Sequence, residues 1–168
     1  MTNEARQGNS PNSPNPTAGE PHAACAQSDA LRACRCRPLP GIPAQAMFPS
    51  APEIVSAARH FVRDALAHDA TGLHEDLVDD VRLIVSELVT NAVRYGTEPG
   101  DSVLVLLAVT DTCVRIEVRD PVRRRPRFRA VSQERDRGRG LFIVQALAEC
   151  WGVADRPFGK AVWAQVAR

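Results

Sequence analysis

Glu75-Asp-Leu-Val-Asp-Asp-Val-Arg-Leu-Ile-Val-Ser-Glu87-Leu-Val-Thr-Asn91-Ala-Val-Arg-Tyr95-Gly96 is the stretch from which the rest of the chain is read. Leu77, Val81, Ile84, Leu88 and Ala92 recur at three- and four-residue intervals, the repeat of one helix face. Glu75 and Asp76 stand near the positive end of the helix dipole, and Gly96 follows as a stop. The spacing predicts a helix over about 74–95. Glu87 and Asn91 are four residues apart and so share one side of it. On a helical wheel Asn91 falls at the margin of the apolar stripe and Glu87 just beyond it. An amide buried there without partners costs about 1–3 kcal/mol, and the carboxylate one turn away is an acceptor-only group. Such oxygens suit a hard cation like Mg²⁺, which keeps several of its waters. A solvated Glu beside a satisfied Asn explains the same spacing, and the spacing leaves both readings open.

Upstream, Ser50-Ala-Pro-Glu53 has the S-x-x-E form of a capping box with Pro in the first turn. Ile54, Ala58, Phe61 and Ala65, with Val55, Val62 and Leu66, then keep helical spacing, predicting a helix over about 51–68. Gln45–Phe48 reads as a short edge strand. Downstream, Val103–Val109 is an apolar run and Val114-Arg-Ile-Glu-Val118 alternates, with Asp111-Thr112 as the turn of a hairpin. The arginine-rich segment 121–137 has no usable period. Gly138-Arg-Gly140 opens a short apolar helix, Leu141–Glu149. Trp151–Asp155 and Ala161–Ala167 read as a second hairpin around Pro157-Phe-Gly-Lys160. Helices segregated from an antiparallel-rich sheet predict an α+β fold: a two-layer α/β sandwich with a mixed, mostly antiparallel sheet and helices on one face.

Composition removes several classes of function. With 44% hydrophobic and 24% charged residues, the 168-residue chain is ordinary for one globular domain. A net charge of +1 selects neither nucleic acid nor membrane through a global field. No apolar run reaches the roughly 18 residues of a membrane span. The N-terminal residues lack a signal peptide's apolar region, so a cytoplasmic location is expected. Residues 1–43 carry repeated Pro with Asn, Ser and Ala between and no apolar period, and are read as a disordered leader to a domain over 44–168. Cys25, Cys34, Cys36, Cys113 and Cys150 are expected as free thiols, because the Cys34-Arg-Cys36 spacer is short for zinc and a reducing compartment disfavours disulfides. Cys113 and Cys150 read as small core residues.

Two further features carry chemistry. Asp120 ends a strand before Pro121, where its carboxylate can accept a ligand amine or simply serve a turn. Gly138-Arg-Gly140 precedes a helix, where glycines admit an anion to backbone N–H groups and the dipole adds positive potential. Residues 123–139 hold eight arginines against two acids, which favours phosphate, whether of a nucleotide or of a nucleic acid.

The order of these pieces resembles a known family. Glu87-Leu-Val-Thr-Asn91-Ala-Val-Arg-Tyr95-Gly96 looks like the N box of the GHKL ATPases, the superfamily of gyrase, heat-shock chaperones, histidine kinases and mismatch-repair ATPases. Arg119-Asp120 resembles the G1 box, Gly138-Arg-Gly140-Leu141 the G2 box, and Phe158-Gly-Lys160-Ala-Val-Trp163 the final hairpin. Over about 48–167 the chain is most similar to the anti-sigma-factor serine/threonine kinase branch, the stand-alone actinobacterial ATP-binding proteins.

The resemblance implies a Bergerat-type fold that binds ATP and Mg²⁺. Asn91 would hold Mg²⁺ and, through it, the phosphates. Glu87 would be the general base. Asp120 would accept from the adenine amine, and Gly138, Arg139 and Gly140 would meet the phosphates under a lid of residues 121–137. The implied activity is phosphorylation of an anti-sigma-factor antagonist, with capacity to sequester a sigma factor, and the family suggests a homodimer. The alternatives are a non-catalytic ATP-binding interaction module of the same fold and a nucleic-acid binder using the arginine loop. Two departures are visible: the usual D-x-G-x-G is here Asp120-Pro-Val-Arg123, and Asp136 stands where the kinase branch often has an arginine, with Arg135 and Arg137 beside it.

Overall fold

The structure, a computed structural model, describes residues 43–69, 72–126 and 139–168. The elements run β1 (Ala44–Pro49), α1 (Ile54–Asp69), α2 (Glu75–Tyr95), β2 (Ser102–Val109), β3 (Cys113–Asp120), α3 (Gly140–Leu147), β4 (Cys150–Arg156) and β5 (Gly159–Ala167). Every element predicted from helical spacing or alternation is present, with ends moved by a few residues. The capping box is not formed. Ser50 N–H donates to Asp101 O at 2.8 Å, tying the end of β1 to the loop before β2. That pin turns the Ser50 hydroxyl to Thr97 Oγ1 at 2.6 Å, and the helix starts only at Ile54.

The sheet has five strands in the order β1-β2-β3-β5-β4. All four pairings are antiparallel, so the expected mixed component is absent among the described residues. The reason lies in the crossover. β3, α3 and β4 form a unit whose two strands run the same way and would pair in parallel if adjacent. β5 folds back from β4 and inserts between them, and each neighbour it meets runs the opposite way.

Alternation decides which residues face the helices. Val103, Val105 and Leu107 of β2, Val114, Ile116 and Val118 of β3, and Val162, Ala164 and Val166 of β5 point to one side. There they pack on Ile54, Val62 and Leu66 of α1, Val81, Ile84, Leu88 and Ala92 of α2, and Val144 of α3. Full burial of each large aliphatic side chain contributes about 1.5–3 kcal/mol. This stripe holds α2 across the sheet and fixes where its polar edge points. The other side of β3 carries Arg115, Glu117 and Arg119. The Arg115 guanidinium lies 4.1 Å from the Trp163 ring centroid, and buried Glu117 accepts from Arg119 Nε and Arg156 Nη2, both at 2.7 Å. The buried Glu117 charge is thereby paired, as burial requires.

Cys113 is a half-buried free thiol, and Cys150 is buried. The other three cysteines and leader residues 1–42 lie outside the described residues. Among the described residues no helix is long and apolar enough to cross a membrane.

Candidate functional site

The last turns of α2, the end of β3, the start of β5 and the first turn of α3 meet at a cavity of about 590 Å³. Glu87, Asn91 and Arg94 reach it from α2, Asp120 from β3, Lys160 from β5, and Gly140 and Leu141 from α3. Arg124 and Arg125 line it from the segment after β3, and Leu88, Ala92, Val118 and Val162 supply apolar walls. Polar and apolar surface share the lining about equally, with charged groups converging over apolar walls, a make-up suited to a polar small ligand.

Asp120 continues the inward set Val114, Ile116, Val118, so its carboxylate enters the helix layer rather than solvent. Its cross-strand partner is Lys160, which continues Val162, Ala164 and Val166 in the same way. Lys160 Nζ donates to Asp120 Oδ1 at 2.6 Å and to Val122 O at 2.8 Å. Val122 N–H donates to the same Oδ1 at 3.1 Å. Among the described residues Asp120 Oδ2 accepts no hydrogen bond. Burial pushes the Asp120 carboxyl above the usual aspartate range, while Lys160 and the Val122 N–H pull against it. Gly96 is packed against this carboxyl so closely that a Cβ there would overlap its Cγ and both oxygens.

Glu87 and Asn91 share the polar edge of α2 as their spacing predicts. Neither side chain has a hydrogen-bond partner among the described residues. Burial raises the Glu87 carboxyl above the ordinary glutamate range, and the Arg94 charge partly opposes this. The α3 N-terminus closes on the pair: a Cβ on Gly140 would strike Glu87 Oε2 and lie 3.6 Å from Asn91 Nδ2. Glycine at 140 therefore lets the positive end of α3 approach the carboxylate and amide closely.

The structure thus brings Glu87, Asn91, Asp120 and Gly140 to one cavity. Arg139 is exposed at the start of α3, makes no side-chain cap, and does not line the cavity. Gly138, with Arg135, Asp136 and Arg137, lies outside the described residues, as does the expected lid beyond residue 126. The segment after β3 is tied to the β4–β5 hairpin: Arg123 Nη2 donates to Pro157 O at 2.8 Å, and Arg125 pairs with Asp155 at 3.0 Å.

Three contributors were missed by the sequence reading. Lys160 had a legible signal, because it shares the even-numbered, inward parity of β5. Gly96 was read as a helix stop only. Arg94 was quoted within its motif without a role, and a single arginine at a helix end carries no further sequence signal.

The oxygen donors can be tested against a metal. Among the described residues no group of three or more His, Cys, Asp or Glu side chains could hold an ion. The unpartnered Asn91 amide and Glu87 carboxylate offer hard oxygen ligands without a complete cage, which fits Mg²⁺ shared with phosphates and water.

A two-layer sandwich with a cavity of this kind at the ends of its central strands is a small-ligand-binding domain. The family model of the histidine kinase-like ATPase domain matches residues 48–166; the chain belongs to that family. Membership carries ATP binding and a kinase-like ATPase domain. No curated protein sequence matches the chain significantly. Solved structures similar to it include the histidine kinase domain from Erythrobacter litoralis EL346 blue-light activated histidine kinase, with 21% identity and a TM-score of 0.42, covering 67% of this chain and 60% of that chain.

Proposed function

We propose that this protein is an ATP- and Mg²⁺-dependent protein serine/threonine kinase of the anti-sigma-factor type. Its substrate would be a serine of an anti-sigma-factor antagonist, and it would also sequester a sigma factor. The observation that supports this reading most is the convergence of Glu87, Asn91 and the Gly140 end of α3 at a cavity that Asp120 enters from the opposite side.

ATP supplies the transferable phosphoryl group, and Mg²⁺ neutralises charge on its oxygens. The chain's own residues bind, orient and move a proton. Asp120 accepts from the base amine while Val118 and Val162 exclude water from the base. Asn91 holds the metal through its amide oxygen. Gly140 presents backbone N–H groups at the helix start, and Arg139, Arg94, Arg124 and Arg125 add positive charge for phosphates. Glu87 takes the proton of the attacking hydroxyl; its raised carboxyl brings a normally weak base closer to working pH. Phosphoryl transfer depends mainly on such positioning and charge neutralisation.

A radiolabelled-ATP transfer assay against candidate antagonist proteins tests the reading. Transfer to serine is expected, and Glu87→Gln should lower it by about 10²–10⁴-fold while leaving ATP binding intact. A second reading, a binding module that holds nucleotide without transferring it, is favoured by Pro121 and the Arg123 and Arg125 ties, which stiffen the lid entrance. It predicts partner capture with no transfer by either protein.

A further inference from the structure

Lys160 is a lysine sealed from solvent at the floor of the cavity, 4% exposed. A lysine ammonium carries three donors and no acceptor. Two are used, on Asp120 Oδ1 at 2.6 Å and Val122 O at 2.8 Å. The third has no partner among the described residues, and Lys160 is part of the cavity lining. Beside it, Asp120 has one oxygen filled by Lys160 and Val122 and the other, Oδ2, unfilled. The floor of the cavity thus offers a free anionic acceptor next to a free cationic donor, set side by side by the β3–β5 register that pairs residue 120 with residue 160.

This pairing matches an exocyclic amine beside an unprotonated ring nitrogen, the pattern of adenine (the amine with N1 or with N7) and of cytosine (the amine with N3), and not of guanine. Adenine presents an exocyclic amine, a donor, next to its N1 ring nitrogen, an acceptor. We propose that Lys160 is a second base-reading residue, donating its free N–H to the N1 of adenine while Asp120 Oδ2 accepts from the amine. The inference rests on the ATP-binding reading above and adds to it a residue that separates adenine from guanine. Guanine in the same pose would set a carbonyl oxygen against the carboxylate and an N–H against the ammonium. Both contacts are repulsive, so the pair rejects guanine at two points where Asp120 alone would reject it at one. The same contact explains why a lysine is kept in an otherwise apolar inward row: a buried ammonium is costly unless its hydrogens find acceptors.

The experiment uses the full chain with Mg²⁺ and calorimetric titration of three probes: ATP, 1-deaza-ATP (in which N1 is replaced by C–H) and GTP. For the unaltered protein, ATP should bind about tenfold to a hundredfold tighter than 1-deaza-ATP, the range for one hydrogen bond to a charged group. In Lys160→Met that preference should shrink to within about twofold, the scatter of non-interacting changes. The ATP-over-GTP preference should narrow in the same variant. Since Lys160→Met leaves Asp120 buried without its counter-charge, the comparison is repeated as Asp120→Asn against Asp120→Asn/Lys160→Met, where no orphaned carboxylate threatens the fold. Loss of the ATP-over-1-deaza-ATP preference with Lys160 is expected there too. Two results overturn the inference while leaving ATP binding in place: equal affinity of the unaltered protein for ATP and 1-deaza-ATP, or a preference that persists undiminished without Lys160. Absence of any ATP binding by the folded, unaltered protein at millimolar concentration would remove the ATP reading itself, and this inference with it.

Discussion

Gly96 has φ −120° and ψ 0°, a backbone any residue adopts, and it caps α2 with an N–H to Ala92 O at 2.7 Å. What requires glycine there is a neighbour, the Asp120 carboxyl. Gly96→Ala should therefore leave helix content unchanged and push Asp120 out of place, weakening ATP binding about tenfold to a hundredfold. Circular dichroism beside calorimetry checks this; unchanged ATP affinity would show that Asp120 has room to move. Glu87 makes a separate prediction through its pH dependence. Its folded carboxyl lies above the ordinary 4.5, so the folded chain holds the proton more tightly than the unfolded chain. The sign is fixed by that: stability linked to Glu87 is greatest when both states are protonated and declines as pH rises from the ordinary value through the raised one. The thermal midpoint of Glu87→Gln, relative to the unaltered protein, should accordingly rise between about pH 4 and pH 7. A gap that stays constant or shrinks over that range would mean that burial does not penalise the charge.

The β4–β5 hairpin is the element that closes the site from below. Its turn needs glycine at 159, with φ +114°, and a Cβ there would run into the Asp120 carbonyl oxygen and sit 2.6 Å from Pro121 Cα. Gly159→Ala meets both obstacles, since an L side chain is strained at this φ and the space is already filled. A cost of about 1–3 kcal/mol or more is expected, read as a lower denaturation midpoint. Because the displaced backbone belongs to Asp120 and Pro121, ATP affinity should fall with stability. A stable variant with normal affinity would mean that the hairpin does not set the position of Asp120. α2 works differently: its stripe of Val81, Ile84, Leu88 and Ala92 is anchored on the sheet, and Glu87 and Asn91 inherit their direction from that anchoring. The helix and its polar edge were legible because spacing alone sets which residues share a side. The Ser50 cap was misread because Thr97, 47 residues away, competes for its hydroxyl.

At the scale of the whole molecule, a ligand that binds only the folded state raises stability by mass action. ATP with Mg²⁺ at about 100 times its dissociation constant should add about 2.7 kcal/mol, and chelating the metal should remove most of it. A thermal-shift titration measures this, and a midpoint indifferent to ATP would count against the site. The proposed boundary between a leader and a domain over 44–168 has its own test. Limited proteolysis should leave a stable core starting near residue 44, and that fragment should keep the full-length thermal midpoint. Protection of the leader equal to that of the core would erase the boundary.

Periodicity was enough to derive the helices, the hairpins, the two-layer class and the shared side of Glu87 and Asn91, because helical and strand repeats are local properties of the chain. Asp120 and Gly140 were only local candidates, a carboxylate ending a strand and a glycine opening a helix, and it was the order of the motifs, resembling that of the GHKL ATPases, that gave them expected roles. Several matters waited on the tertiary structure. β5 inserts between β3 and β4 and makes every pairing antiparallel. The cross-strand register sets Lys160 on Asp120, although 40 residues separate them. Packing puts Gly96 under a carboxylate and Gly140 against another. Strand order, register and close approach depend on which distant segments meet, and no repeat within a single segment encodes its partner.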